Sequence, residues 1–169
     1  MKKKARKTHR PKLRKATDRH DIVELMLRDH KPLKRLIKTL KNPDRDFAKL
    51  RAAFEEFAPL LDAHAKPEQE SLYQHMQRSG EEELRVEGFE GLTEHTIVDE
   101  LAKKIKSLGD EDEWKAHVKV LAELVEHHIE EEEEEQIPDL RKDFELDERV
   151  KIGLEYLRLR SAFGIEEAA

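Results

Sequence analysis

Hydrophobic side chains recur at alternating steps of three and four along four stretches of the 169-residue chain. That is the period of a helix with one buried face. The first stretch carries Val23, Met26, Leu33, Ile37 and Leu40, and the second Phe47, Leu50, Phe54, Phe57 and Leu61, extended by Leu72 and Met76. The third carries Leu92, Val98, Leu101, Ile105 and Leu108, and the fourth Trp114, Val118, Leu121 and Val125. The pattern predicts helices over about 17–41, 46–79, 92–108 and 111–136. Thr17 or Asp18 is placed to cap the first helix, and Asp110 to Asp112 the fourth. Pro32 lies inside the first helix and Pro59 and Pro67 inside the second, which predicts bends, since an internal proline costs about 3 kcal/mol. Asn42-Pro43-Asp44 reads as a turn, Gly80 to Gly91 as a turn region punctuated by Gly88 and Gly91, and Pro138 as the end of the fourth helix. A last segment over 147–163, with Val150, Leu154 and Leu157, predicts a fifth helix packed outside the bundle or against another subunit. The expected fold is all-α, an up-down-up-down four-helix bundle with an additional short C-terminal helix. Its expected divisions are a basic disordered tail over 1–16, the bundle over 17–140, and a C-terminal helix and tail over 141–169.

Each seam is interrupted by polar residues at inward positions. His30 takes the place of a hydrophobe in the first, His64 and Glu68 in the second, His95 in the third, and His128 and Glu132 in the fourth. The arrangement is repeated, with His30 and His95 offset by 65 positions, and the His64/Glu68 and His128/Glu132 pairs by 64. Positions i and i+4 share a helix face, so each His-x-x-x-Glu pair aims an imidazole and a carboxylate at one point. A single buried histidine is most often a satisfied core residue, and a single His-x-x-x-Glu pair is common. Six polar residues on four core seams, two of them carboxylates that would be costly to bury alone, call for a shared metal. The remaining histidines fall outside this set. His9 and His20 belong to the basic end, His75 and His117 lie off the seams, and His127 points about 100° away from His128 on a helix. Of the six consecutive glutamates from Glu130 to Glu135, only Glu132 stands four residues after a seam histidine, so the other five are expected on a solvated face.

Composition narrows the chemistry. Charged residues make up 43% of the chain, but the patterned apolar positions argue against disorder. Residues 1–20 carry ten Lys or Arg against one Asp, a net +9, leaving about −15 on the remainder of a chain whose total is −6. No interleaved aromatics or binding motif accompany the basic end, so a solvated tail is expected and nucleic acid is not an expected partner. No apolar run approaches the roughly 18 residues of a membrane span, and the basic N-terminus has no apolar stretch behind it. No membrane partner is expected, and the expected compartment is the cytoplasm. With no cysteine, any metal is held by nitrogen and oxygen. Imidazole and carboxylate without thiolate suit iron, manganese or zinc, and four imidazoles with two carboxylates serve two ions better than one. Such a pair leaves positions open for an oxo or hydroxo bridge and a small ligand. The Glu-x-x-His signature of ferritin-like carboxylate sites is absent, as is the His-Glu-x-x-His of zinc proteases.

Asp29-His30, His64-x-x-x-Glu68-x-Glu70-Ser-Leu-Tyr73, Glu94-His95, and His128-x-x-x-Glu132 followed by Ile137-Pro138 together resemble a known family. Over about residues 20–140 the chain is similar to hemerythrin-like proteins of the His-His-Glu cation-binding class. The resemblance implies a four-helix bundle around a non-haem di-iron site. It further implies that His30 and His64 hold one iron, His95 and His128 the other, and Glu68 and Glu132 bridge them. Oxygen-carrying hemerythrins have a fifth histidine four residues after the third; here Asp99 stands there. That departure points to the broader bacterial group, whose roles include binding or sensing oxygen, nitric oxide, peroxide or redox state. The alternative is a di-iron enzyme or iron-handling protein, acting in peroxide reduction or in iron donation for iron–sulfur repair. Tyr73 stands as a residue close behind the site.

Overall fold

The structure is a computed structural model that describes residues 18–163, and within them the chain is helical without a strand. The expected basic tail lies outside the described residues. A 3₁₀ turn, Asp18–His20, leads into α1 (Ile22–Leu40). Then follow α2 (Phe47–Glu70), α3 (Leu72–Met76), α4 (Glu82–Ser107) and α5 (Glu111–Glu131). A widened π turn, Glu132–Gln136, carries the chain into α6 (Ile137–Asp143), and α7 (Leu146–Ala162) comes last. Aspartates start three of the long helices by accepting backbone N–H bonds that have no partner within the helix. Asp21 accepts from Val23 at 3.1 Å, Asp46 from Lys49 at 2.9 Å and Asp110 from Glu113 at 2.8 Å. The first cap is therefore Asp21 and not Asp18, which belongs to the 3₁₀ turn; Thr17 lies outside the described residues.

The long helices α1, α2, α4 and α5 form the bundle. α1 packs on α2 and α5, and α4 packs on α5, whereas α2 touches α4 and α5 only briefly. Every seam residue of α1 and α5 is buried, as is the α2 seam from Leu50 onward. The core has two parts. One gathers Leu33, Ile37, Phe54, Phe57, Val98, Ile105, Trp114, Val118, Leu121 and Val125 at the α1–α2 turn end. There Trp114 is fully buried and meets Phe47 and Phe54 edge-on at 5.3 and 5.7 Å. A buried aromatic of this kind is worth about 3–5 kcal/mol against alanine. The other part gathers Ile22, Val23, Met26, Leu72, Tyr73, Met76, Leu84, Ile137, Leu140, Ile152 and Tyr156 at the opposite end. The seam histidines and glutamates lie in the sequence positions between these two parts.

Three boundaries depart from the sequence reading. The helix expected to start at Leu92 starts at Glu82, so Gly88 and Gly91 sit inside α4 rather than in a turn. Their role is close approach. A β-carbon on Gly88 would lie 2.9 Å from Met76 Cβ, and one on Gly91 would lie 2.5 Å from the Tyr73 ring. The helix expected to run to Ser79 breaks at Ser71, whose φ of −106° and ψ of −82° are not helical, and resumes as α3 only to Met76. Ser71 Oγ donates back to the Pro67 carbonyl at 2.7 Å, stabilising the break. Pro138 does not end the chain's fourth helical stretch. The π turn, in which the Ile137 N–H reaches the Glu132 carbonyl, places Pro138 in the first turn of α6, where no N–H is needed. α1 runs through Pro32, and α2 through Pro59 and Pro67, as unbroken helices.

The last helix packs on α1 and α2 of the same chain. Its buried face is Ile152, Gly153, Tyr156, Leu159 and Arg160, rotated from the expected Val150, Leu154 and Leu157; Leu154 is 49% exposed. Polar contacts at the interface choose the register. Arg149 pairs with the Asp21 cap at 3.0 Å, Tyr156 donates to Asp29 at 2.7 Å, and Arg160 pairs with Asp29. Gly153 lets the helix lie against the 3₁₀ turn, because a β-carbon there would fall 1.9 Å from the His20 carbonyl oxygen. Gly153→Ala is expected to lower stability by about 2–3 kcal/mol, by analogy with overpacked sites. Thermal unfolding followed by circular dichroism checks this, and an unchanged midpoint would refute the close fit of α7.

Candidate metal centre

Each long helix delivers its polar seam residues to one interior point. α1 brings His30, α2 His64 and Glu68, α4 His95, and α5 His128 with Glu132 at the entry to the π turn. All six are at most 4% exposed, and Glu68 and Glu132 are fully buried. The two i,i+4 pairs close as helical geometry requires, His64 Nε2 standing 3.3 Å from Glu68 and His128 Nε2 3.3 Å from Glu132. The imidazoles pair across the bundle, with ring centroids 5.0 Å apart for His30 and His64 and 4.6 Å for His95 and His128. His95 Nε2 and His128 Nε2 are 2.8 Å apart.

The carboxylates join the two pairs. Glu132 Oε2 lies 3.1 Å from His30 Nε2 and 3.8 Å from His64 Nε2, whereas its Oε1 lies 3.3 Å from His128 Nε2. Glu68 Oε2 lies 3.3 Å from His64 Nε2 and 3.9 Å from His95 Nε2. Donor atoms of His64, Glu68, His95 and Glu132 all fall within 4.8 Å of one another.

The electrostatics follow from burial. Burial and then the charge of Glu132 push the Glu68 carboxyl well above its usual range. Burial opposes the charge of Glu132 as well, but His128 and then His30 outweigh it and hold the carboxyl well below its usual range. Burial pushes His64 down to about 4, and burial with the neighbouring His128 pushes His95 well down. His128 and His30 are also disfavoured as cations by burial, yet their contacts with Glu132 win and raise both.

These residues fit a metal ion. Neither oxygen of Glu68 and neither ring nitrogen of His64 makes a hydrogen bond to any described residue, although all are buried. Such groups are costly unless something else satisfies them, and a cation does so for nitrogen and oxygen donors together.

Two residues outside the seams orient the imidazoles. His128 Nδ1 donates to Glu94 Oε2 at 2.6 Å, and His30 Nδ1 to Glu133 Oε1 at 2.9 Å. Lys34 holds the other Glu133 oxygen at 2.6 Å. A carboxylate on Nδ1 fixes the tautomer that turns Nε2 inward as a ligand. Glu133 thus corrects the expectation that every glutamate of the run except Glu132 is solvated. Its signal was position: it directly follows Glu132, where the π turn swings it toward α1. Glu94 precedes His95 and gave no separate signal. Asp99 pairs with Lys103 on the surface of α4 and does not join the cluster, so the fifth-histidine position contributes no donor. His75 donates to the Ser71 carbonyl, His117 to the Glu113 carbonyl, and His127 faces Glu131; all three stand outside the centre.

Tyr73 goes further in than expected. It is fully buried, and its Oη lies 3.1 Å from Glu132 Oε1, 3.3 Å from His128 Nε2 and 3.4 Å from His95 Nε2. Burial, followed by the Glu68 and Glu132 carboxylates, keeps its phenol well above the ordinary value.

The family model of the hemerythrin HHE cation binding domain matches residues 21–140. The chain belongs to the hemerythrin family. Comparison with curated proteins and with solved structures gives no match. The hemerythrin match spans α1 through most of α6, and so includes every residue of the buried cluster. Metal-ion binding is the property that the family and the cluster share. No described helix of this hemerythrin-like chain is long and apolar enough to cross a membrane.

His64→Ala and Glu132→Ala are each expected to lower bound metal, measured by elemental analysis of purified protein, while His75→Ala leaves it unchanged. Equal loss in all three would show that the interior cluster is not the metal centre.

Proposed function

We propose that the chain is a non-haem di-iron protein that binds or senses a small ligand: oxygen, nitric oxide or peroxide. The observation that carries the two-ion reading is the division of Glu132. One oxygen faces the His30–His64 pair and the other faces His128, as a carboxylate does when it spans two cations. Glu68 also stands between the pairs, but by one oxygen, its Oε2 facing both His64 and His95. In this reading His30 and His64 hold one iron, His95 and His128 the other, and both glutamates bridge. Bound iron would supply redox chemistry and a Lewis-acid position for the small ligand. Nitrogen-rich ligation without thiolate suits iron, with manganese and zinc as the competing ions.

The chain's own residues determine access. A cavity of about 140 Å³ opens between α2 and α4, and His95 is part of its wall. Ala58, Ala65 and Ala102 keep it narrow but open, with Leu61 and Val98 making it apolar. At the rim Asp62 pairs with Lys66 at 3.1 Å, and Asp99 pairs with Lys103. The apolar part of the lining suits a small uncharged ligand such as oxygen or nitric oxide, with Gln69, Thr96 and Lys106 as further polar lining. Glu94 and Glu133 meanwhile keep His128 and His30 turned inward.

Elemental analysis and the near-ultraviolet and visible spectrum of protein purified aerobically after iron-replete expression test the centre. About two irons per chain and ferric charge-transfer absorption are expected. Colourless protein holding zinc alone would exclude the di-iron reading.

The cavity has its own test. Ala102→Leu is expected to slow nitric oxide binding to the reduced protein several-fold in stopped-flow measurements, with iron content unchanged. An unaltered rate would place the entrance elsewhere.

A further inference from the structure

Two features of the chain act on one side chain, Tyr73. On an unbroken helix Tyr73, five residues after Glu68, would lie about 140° round the axis from it, away from the centre. The break at Ser71 interrupts that geometry, and α3 instead carries Tyr73 into the interior. Across from it, Gly91 leaves room for the phenol. A β-carbon there would stand 2.5 Å from Tyr73 Cζ and 2.7 Å from Oη. Backbone break and glycine together set the position of a single oxygen atom.

That oxygen occupies a distinctive place. It lies 3.4 Å from His95 Nε2, 3.3 Å from His128 Nε2 and 3.1 Å from Glu132 Oε1. The other separations in the group are 2.8 Å between the two Nε2 atoms and 3.3 Å from His128 Nε2 to Glu132 Oε1. Donors bound to one ion at about 2.1 Å are separated by about 3.0 Å in an octahedron and about 3.4 Å in a tetrahedron. The measured separations fall in or close to that range. A phenol donates one hydrogen bond, here to Glu132, and approaches imidazole nitrogens either as acceptor from an N–H or beside a shared cation. With the His128 proton on Nδ1, bonded to Glu94, its neutral Nε2 has no proton to give, which favours the cation.

We propose that Tyr73 is a direct ligand of the metal ion held by His95 and His128, supplying through Oη the donor that Asp99 does not. This rests on the metal-centre reading above. The ligand binds as phenolate, its proton released to solvent as the metal enters, in the way that protein ligands generally lose protons on metal binding. The two ions would then differ: His95, His128 and the Tyr73 phenolate would hold one, His30 and His64 the other, with Glu68 and Glu132 available to both.

The test uses the full chain, stripped of metal, loaded with ferrous iron and oxidised in air. Resonance Raman spectra excited in the visible band are expected to show tyrosinate ring modes that shift when the protein is made with ring-deuterated tyrosine. The chain has two tyrosines, and Tyr156 is bonded to Asp29. Tyr73→Phe is therefore expected to abolish these modes and the visible band, while helical circular dichroism stays unchanged and iron remains bound. Iron-loaded wild-type protein without tyrosinate modes would overturn the assignment, make Tyr73 a hydrogen-bond donor, and leave the di-iron reading standing. Modes that survive Tyr73→Phe would overturn it as well. Wild-type protein that takes up no iron would overturn both readings. The isotope measurement needs only the wild-type chain, so the result does not depend on the variant folding.

Discussion

Two carboxylates without any solvent exposure, Glu68 and Glu132, stand among four buried imidazoles in the middle of an otherwise apolar bundle. Much of the architecture answers to that concentration of polarity. Transferring a carboxylate from water into a protein interior is costly unless it is paired and hydrogen-bonded. The pairing among protein groups is uneven: Glu132 draws on His128 and His30, while Glu68 has no hydrogen-bond donor among the described residues. The two flanking hydrophobic clusters hold the helices at the separation that this belt of donors requires. In the proposed reading, metal binding and bundle stability are coupled through the same six residues, since an ion that binds only the folded arrangement stabilises it.

Much of this was legible in the sequence, because core seams and ligand positions obey one rule. A histidine or glutamate at a step of three or four from buried leucines must face the interior, and His30, His64, Glu68, His95, His128 and Glu132 all do. What the period could not reveal was tertiary close approach. Gly88 and Gly91 look like turn residues until Met76 and Tyr73 are seen lying against them; only then is the missing β-carbon the reason for their identity. The same holds for Tyr73, whose inward position depends on a non-helical Ser71. In α7, apolar Leu154 stays outside because Tyr156 and Arg160 are drawn to Asp29 on α1, a contact 127 and 131 residues distant in sequence. Glu94 and Glu133 act through the outer nitrogens of histidines, beyond the reach of an argument from helix faces.

The C-terminal helix is integral to the centre's surroundings. Asp29 precedes His30 in α1, and two side chains of α7 grip it, one of them the buried Arg160. Arg149 holds the Asp21 cap at the start of the same helix. α7 therefore fixes α1 at its first turn and again beside its ligand. The family match ends at residue 140, so this support comes from a segment beyond the matched domain.

The π turn gives the glutamate run a meaning that its composition conceals. Continued in steps of three and four, the α5 seam would next turn Glu135 and Asp139 inward. The widened turn slips the seam by one residue, so that Gln136, Ile137 and Leu140 are buried while Glu134 and Glu135 stay in solvent. The run is one residue longer than an ordinary α-helix could accommodate, and the π turn absorbs the surplus. It can be understood as an insertion retained in the helix, of the kind often found at functional sites. A chain one glutamate shorter would meet the same hydrophobic register with regular turns, so the number of these acids sets the register, while the charges of Glu132 and Glu133 set the contacts with the histidines.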